Sequence, residues 1–155
     1  MLQPELKAIK DGLIYVEDKD CNYYGWRGYY RGYLNAQGQR QGVGIVNLLR
    51  SKHIGEWHED KLHGTAKIEK SEDGVSFWGQ YEHGKKEGFL TIKYPNGRVS
   101  YAKFKNNLLD GYGIATYAYG EVVYRGEFKG GKYDGYGFIK YDNNDEYDGQ
   151  WKNDS

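Results

Sequence analysis

Six copies of one five-residue phrase stand at almost equal intervals along this chain. The clearest is Tyr124-Arg125-Gly126-Glu127-Phe128. It returns as Tyr147-Asp148-Gly149-Gln150-Trp151, Phe77-Trp78-Gly79-Gln80-Tyr81, His53-Ile54-Gly55-Glu56-Trp57 and Tyr30-Arg31-Gly32-Tyr33-Leu34, with a worn copy at Ser100-Tyr101-Ala102-Lys103-Phe104. The third positions are residues 32, 55, 79, 102, 126 and 149, so the steps alternate between 23 and 24. A second anchor follows: Gly42-Val43-Gly44, Gly64-Thr65-Ala66, Gly88-Phe89-Leu90, Gly111-Tyr112-Gly113 and Gly135-Tyr136-Gly137, set 10 residues after the first anchor in the leading unit and 9 in the other four. A fixed period of this length makes each unit one supersecondary element that is stable only when stacked on its neighbours. Two short alternating runs separated by polar residues make that element a β-hairpin.

The expected fold class is therefore all-β, an elongated single-layer antiparallel sheet of consecutive hairpins. Residues 30–155 hold five full units and a final half unit. Residues 1–29 form an N-terminal cap, with a short helix predicted by Leu2, Leu6 and Ile9, a strand at Leu13-Ile14-Tyr15-Val16, and a degenerate echo of the phrase at Tyr23-Tyr24-Gly25-Trp26. About eleven strands are expected, at roughly 4.8 Å each. Because the last phrase has no second run, either another element covers that edge or the chain continues.

Strand side chains alternate, so Tyr124, Gly126 and Phe128 share one face while Arg125 and Glu127 share the other. The same rule groups Gly111, Gly113, Ala115 and Tyr117, and Gly135, Gly137, Ile139 and Tyr141. One face should be aromatic and glycine, the other mostly charged or polar. Each central glycine leaves room for a ring from a neighbouring strand to lie against the backbone. Leu, Ile, Val and Phe make up only 30 of 155 residues, so stability must come from the rings, 17% of the chain. Each ring can bury about 150–250 Å². Pro95-Asn96-Gly97, Asp73-Gly74 and Tyr119-Gly120 read as tight turns between units. The stretches 58–63, 82–87 and 129–134 read as polar loops within them.

The formal net charge is zero. That lacks the basic footprint of a nucleic-acid binder and the polybasic cluster drawn to anionic lipid. The single cysteine, Cys21, excludes an internal disulfide framework and fits a reducing compartment. No apolar run approaches the roughly 20 residues of a membrane-spanning helix. The N-terminus shows no signal-peptide pattern, and a cytoplasmic location at the cytoskeleton, a cilium or the membrane periphery is expected.

The Tyr-x-Gly-Glu-(Trp/Phe) phrase, followed nine residues later by Gly-x-Gly at a 23- or 24-residue period, resembles the MORN (membrane occupation and recognition nexus) repeat. The resemblance covers residues 30–151, and Leu62-His63-Gly64 also fits the family's His-Gly before its second strand. Ser100, Ala102, Tyr33, Ala66 and Leu90 depart from the pattern. The resemblance implies a string of antiparallel hairpins without a catalytic centre, acting in binding or scaffolding. Family members hold protein partners along an aromatic trough, form extended homodimers, or serve as accessory arrays of larger enzymes, and lipid binding is also attributed to them.

Candidate chemistry is sparse. His58 and His63 flank one loop without a cysteine partner, and Asp18-x-Asp20-x-Asn22 opens like a calcium loop, yet Tyr23 and Tyr29 stand where glycine and glutamate belong. Neither amounts to a metal site, and no cofactor is expected. No phosphate-cradling glycine loop and no nucleophile–base arrangement is present, so an enzyme is not expected. Contiguous ring surface on a one-layer sheet marks a contact site. The candidate partner-binding residues are Tyr30, Trp57, Phe77, Tyr81, Tyr94, Phe104, Tyr117, Tyr124, Phe128, Tyr141, Tyr147 and Trp151. They would receive an amphipathic helix or an extended peptide. A homodimer is the further occupant implied by the resemblance, and Lys85, Lys86, Lys129 and Lys132 are the candidates for lipid.

Overall fold

The computed structural model describes residues 11–116, 122–141 and 143–154. The helix expected over residues 2–10, the turn at Tyr119-Gly120 and the candidate ring Tyr117 lie outside them. Twelve strands follow one another: β1 (Ile14–Tyr23), β2 (Trp26–Leu34), β3 (Arg40–Leu48), β4 (Ser51–His58), β5 (Lys61–Lys70), β6 (Ser76–Glu82), β7 (Lys85–Lys93), β8 (Val99–Lys105), β9 (Leu108–Thr116), β10 (Val122–Lys129), β11 (Lys132–Lys140) and β12 (Glu146–Trp151). Their order in the sheet is their order in the chain, β1 to β12, as a run of hairpins requires. No helix occurs among the described residues. The chain divides into two compact units, residues 1–73 with 81–84, and residues 74–80 with 85–155.

The strands run further into the polar stretches than expected and leave two-residue turns. Glu59 and Asp60 have φ of 47° and 70°, Asn106 and Asn107 49° and 71°, and His83 and Gly84 48° and 81°. Positive φ at both central positions is the type I′ geometry, whose twist matches that of the flanking strands. Tyr24 and Gly25, at 50° and 84°, make the same turn between β1 and β2, so Gly25 belongs to a turn and not to a strand centre. In the leading unit the connection is longer. Asn35 N–H donates to Gln39 O at 2.9 Å and Gly38 N–H to Asn35 O at 2.9 Å, which accounts for the extra residue between its anchors.

In four of the five units the first glycine of the second anchor sits in a bulge. Gly55 faces Ala66 but Trp57 faces Leu62, so Glu56 alone opposes His63, Gly64 and Thr65. The same offset occurs at Tyr33, Lys103 and Glu127. At the centre of these bulges Gly64 has φ 110° and Gly135 φ 99°, where an L side chain is strained. Glu56 Oε2 accepts the Thr65 N–H at 2.7 Å, satisfying an amide the bulge removes from the ladder.

Successive hairpins are also tied through their turns. Asp60 N–H donates to Arg40 O at 3.1 Å, while Arg40 N–H returns a bond to Asp60 Oδ1 at 2.8 Å. In the second compact unit Asn107 and Asp154 repeat this reciprocal pair with Lys86 and Tyr133.

Candidate partner-binding face

The central glycines do make room for rings, but the ring comes from the same strand, two residues earlier. Tyr30 folds back across Gly32 and onto Gly44 of the paired strand, so that a Cβ on Gly32 would lie 2.5 Å from the Tyr30 Oη. The hydroxyl donates to Tyr33 O at 2.8 Å. Tyr124 covers Gly126 and Gly137 and donates to Glu127 O at 3.2 Å, and Tyr147 covers Gly149 and donates to Gln150 O at 2.8 Å. The second-anchor glycines do take a ring from the neighbouring strand: Gly44 that of Tyr30, Gly113 that of Phe128 and Gly137 that of Tyr124. The departures from the repeat follow the same logic. His53 and Phe77 replace the leading tyrosine in two units, and there the second glycine is replaced by Ala66 or Leu90, whose side chains occupy the space over Gly55 and Gly79.

The fifth position closes the pocket. Trp57 Nε1 donates to Gly44 O at 3.0 Å and Trp151 Nε1 to Gly137 O at 3.1 Å. In the first compact unit the closed rings surround a cation that the sequence did not reveal. Arg40 is 8% exposed, its guanidinium carbon 4.9 Å from the Tyr23 ring centre and 5.2 Å from that of Trp57, with Nε 3.2 Å from Asp60 Oδ1. A desolvated cation over aromatic faces is favourable. In the second unit Tyr133 stacks on Tyr124 at 4.2 Å and meets Trp151 at 5.3 Å.

The expected open trough is therefore filled along much of its length. Tyr30, Trp57, Tyr81, Phe104 and Tyr124 are buried; Tyr30 and Tyr124 lie over glycines, and Trp57 packs edge-on against Tyr30. Phe77, Tyr94, Phe128 and Trp151 are half-buried. Tyr141 and Tyr147 remain open, at 46% and 42% exposed. The opposite face is also not the charged surface expected, since Trp78, Phe89, Tyr101, Tyr112 and Tyr136 are exposed on it. Their positions were legible from alternation alone, but the phrase drew attention to the glycine face.

Burial raises the phenol pKa of Tyr23, Tyr30 and Tyr81 and pushes that of Tyr124 up to about 12. A folded-state value above the unfolded one means stability that is complete below the unfolded pKa and lost as pH rises through the folded one. Alkaline titration should leave the chain folded to about pH 10. Between there and about 12 for Tyr124, tyrosinate absorbance at these rings should appear together with loss of the β-sheet circular dichroism. Tyrosinate that appears fully before any unfolding would contradict the closed rings.

The other candidates are accounted for locally. Asp18 pairs with Arg31 at 3.2 Å, Asp20 with Arg27 at 3.8 Å, and Asn22 Oδ1 accepts the Gly25 N–H at 2.9 Å, all at β1 and its turn. His58, His63 and His83 form a row with ring centres 5.7 and 4.9 Å apart. His63 Nδ1 accepts the His83 backbone N–H at 3.3 Å. No group of three or more His, Cys, Asp or Glu among the described residues is placed to hold a metal ion. Lys86 lies over the Phe77 ring at 4.4 Å, while Lys85, Lys129 and Lys132 are exposed.

The MORN repeat model matches residues 53–69, 79–97, 103–121, 124–146 and 147–154, more than half of the chain. This chain belongs to the MORN repeat family. No curated protein matches it as a relative. The MORN match begins at His53, yet the Tyr30–Gly32–Gly44 arrangement upstream has the geometry of Tyr124–Gly126–Gly137. The leading hairpin shares that geometry but lies outside the residues the family model matches.

Proposed function

We propose that this MORN array is a non-enzymatic scaffold that holds a protein segment, a helix or an extended peptide, on the open part of its ring face. What supports this is the match to the MORN repeat family together with rings left open on the sheet, Tyr141 and Tyr147 at 46% and 42% exposed. Exposed tyrosine and tryptophan on a rigid sheet are the residue types that dominate binding energy. The closed rings supply the rigidity, so Tyr124 is a poor probe of binding and Tyr147 a good one.

A second reading has its own support. Leu49, at the turn between β3 and β4, is 90% exposed and Trp26 is 65% exposed. They line a pocket of about 450 Å³ with Leu48, Arg27, Arg50 and Lys70. An exposed apolar tip suits a membrane interface, although Glu72 and Asp73 share its rim with the cations and Arg50 is paired with Glu72 at 3.3 Å. One experiment with two arms tests both readings: affinity capture from the native source with the unaltered chain and Tyr147→Ala/Trp151→Ala, and vesicle flotation with phosphoinositide against Leu49→Ser/Trp26→Ser. The capture arm should lose a specific protein in the folded double variant. Retention of that protein overturns the ring-face reading, and salt-sensitive flotation lost in Leu49→Ser/Trp26→Ser puts lipid in its place.

A further inference from the structure

Within residues 74–80 and 85–155, the face opposite the glycines carries a ridge of aromatics with a spacing of its own. Phe89, Tyr112 and Tyr136 each follow the first glycine of a second anchor, and they are 45%, 47% and 54% exposed. Register fills the gaps between them. Lys103 lies opposite Phe89 on β8, Glu127 opposite Tyr112 on β10, and Gln150 opposite Tyr136 on β12. Beside this row run Tyr101, Ile114, Arg125 and Phe138, each opposite the next. Phe89 and Tyr101 stack in parallel at 5.1 Å, and Arg125 lies 5.0 Å over Phe138.

The ridge residues stand two strands apart, roughly 9.6 Å. An extended peptide crossing the strands advances about 3.3 Å per residue, so this step is close to three residues, and its side chains would point alternately toward and away from the ridge. An α-helix advances about 10.5 Å in seven residues and returns the same face each time. The charges between ridge positions come in a fixed order, Lys103 and then Glu127.

We infer that this face docks an α-helix lying across the strands, with apolar residues at every seventh position, acidic residues between the first two and basic residues between the last two. The site is on the other side of the sheet from the ring face and does not depend on it.

The test uses the full chain and a fluorescent synthetic helical peptide of that pattern, with leucine as the apolar residue, read by anisotropy. The control peptide has its glutamates and lysines exchanged. The first peptide should bind saturably and the control about tenfold more weakly, the order of effect expected for close charge pairs. Lys103→Glu/Glu127→Lys should reverse that preference. Tyr112→Ala/Tyr136→Ala should abolish binding with unchanged circular dichroism, while Tyr147→Ala should leave it intact. Absence of binding, or equal binding of both peptides, overturns the proposal. A chain that sediments as a dimer, and as a monomer only in Tyr112→Ala/Tyr136→Ala, gives the face to a second copy and also overturns it.

Discussion

Trp57→Ala is expected to destabilise the first compact unit by about 3–5 kcal/mol, the range for truncating a buried large aromatic. Trp57 is 2% exposed and sits edge-on to Tyr23 at 5.5 Å and to Tyr30 at 6.1 Å, with Arg40 over its ring. Removing it does three things at once. It opens a cavity beside Leu62, the fully buried residue opposite it on β5. It leaves the Gly44 carbonyl without its Nε1 donor, and it strips a ring from a buried cation whose remaining neighbours cannot close over it. Trp57→Phe should keep most of the packing and lose the hydrogen bond, costing about 1–2 kcal/mol. Urea denaturation followed by circular dichroism and tyrosine fluorescence separates the two variants. A loss below about 1 kcal/mol for Trp57→Ala would mean that this ring is not what holds the unit together.

Gly126→Val is the matching experiment in the second unit, with an expected loss of about 3 kcal/mol. Gly126 does not have the left-handed φ of the bulge glycines, so backbone strain is not the cause. The cause is space. A Cβ there would meet Tyr124 Oη at 2.5 Å, Gly137 Cα at 2.6 Å and Tyr136 O at 2.9 Å. The hydroxyl can move, but only by giving up its bond to Glu127 O, and the two backbone atoms belong to the paired strand. Gly130→Ala is the control. Its φ is 57° and nothing lies within 4 Å of an added Cβ, so only the conformational term of about 1 kcal/mol applies. Thermal melts of the three chains should therefore rank wild type, Gly130→Ala, Gly126→Val in falling order. Comparable losses in the two variants would remove the ring-over-glycine account.

The ring-over-glycine pairing is legible in the sequence, in two columns of the repeat. Tyr30 and Tyr124 go with a second glycine, whereas His53 and Phe77 go with Ala66 and Leu90. That exchange of volume between two columns is the signature of one shared space. Arg40 offered no such signal. It falls where the leading unit's longer turn rejoins β3; the third unit has Lys86 in the equivalent place, over the Phe77 ring at 4.4 Å, and only folding brings Tyr23 and Trp57 around Arg40. The face opposite the glycines is masked in the sequence for a different reason. Alternation correctly assigns Phe89, Tyr112 and Tyr136 to the side away from the glycines, but the charges at Lys103, Arg125 and Glu127 disguised it as a solvated surface.

Period and alternation alone determined that this chain is a file of antiparallel hairpins with a glycine and aromatic side, because those depend on local geometry: a two-residue repeat along each strand and a fixed number of residues per hairpin. Which rings are closed and which stand open was decided only by the tertiary structure. A tyrosine two residues before a glycine can lie flat over it or stand away from it with the same sequence, and the choice is made by the ring that packs over it: Trp57 of the next hairpin on Tyr30, and Tyr133 of the paired strand on Tyr124.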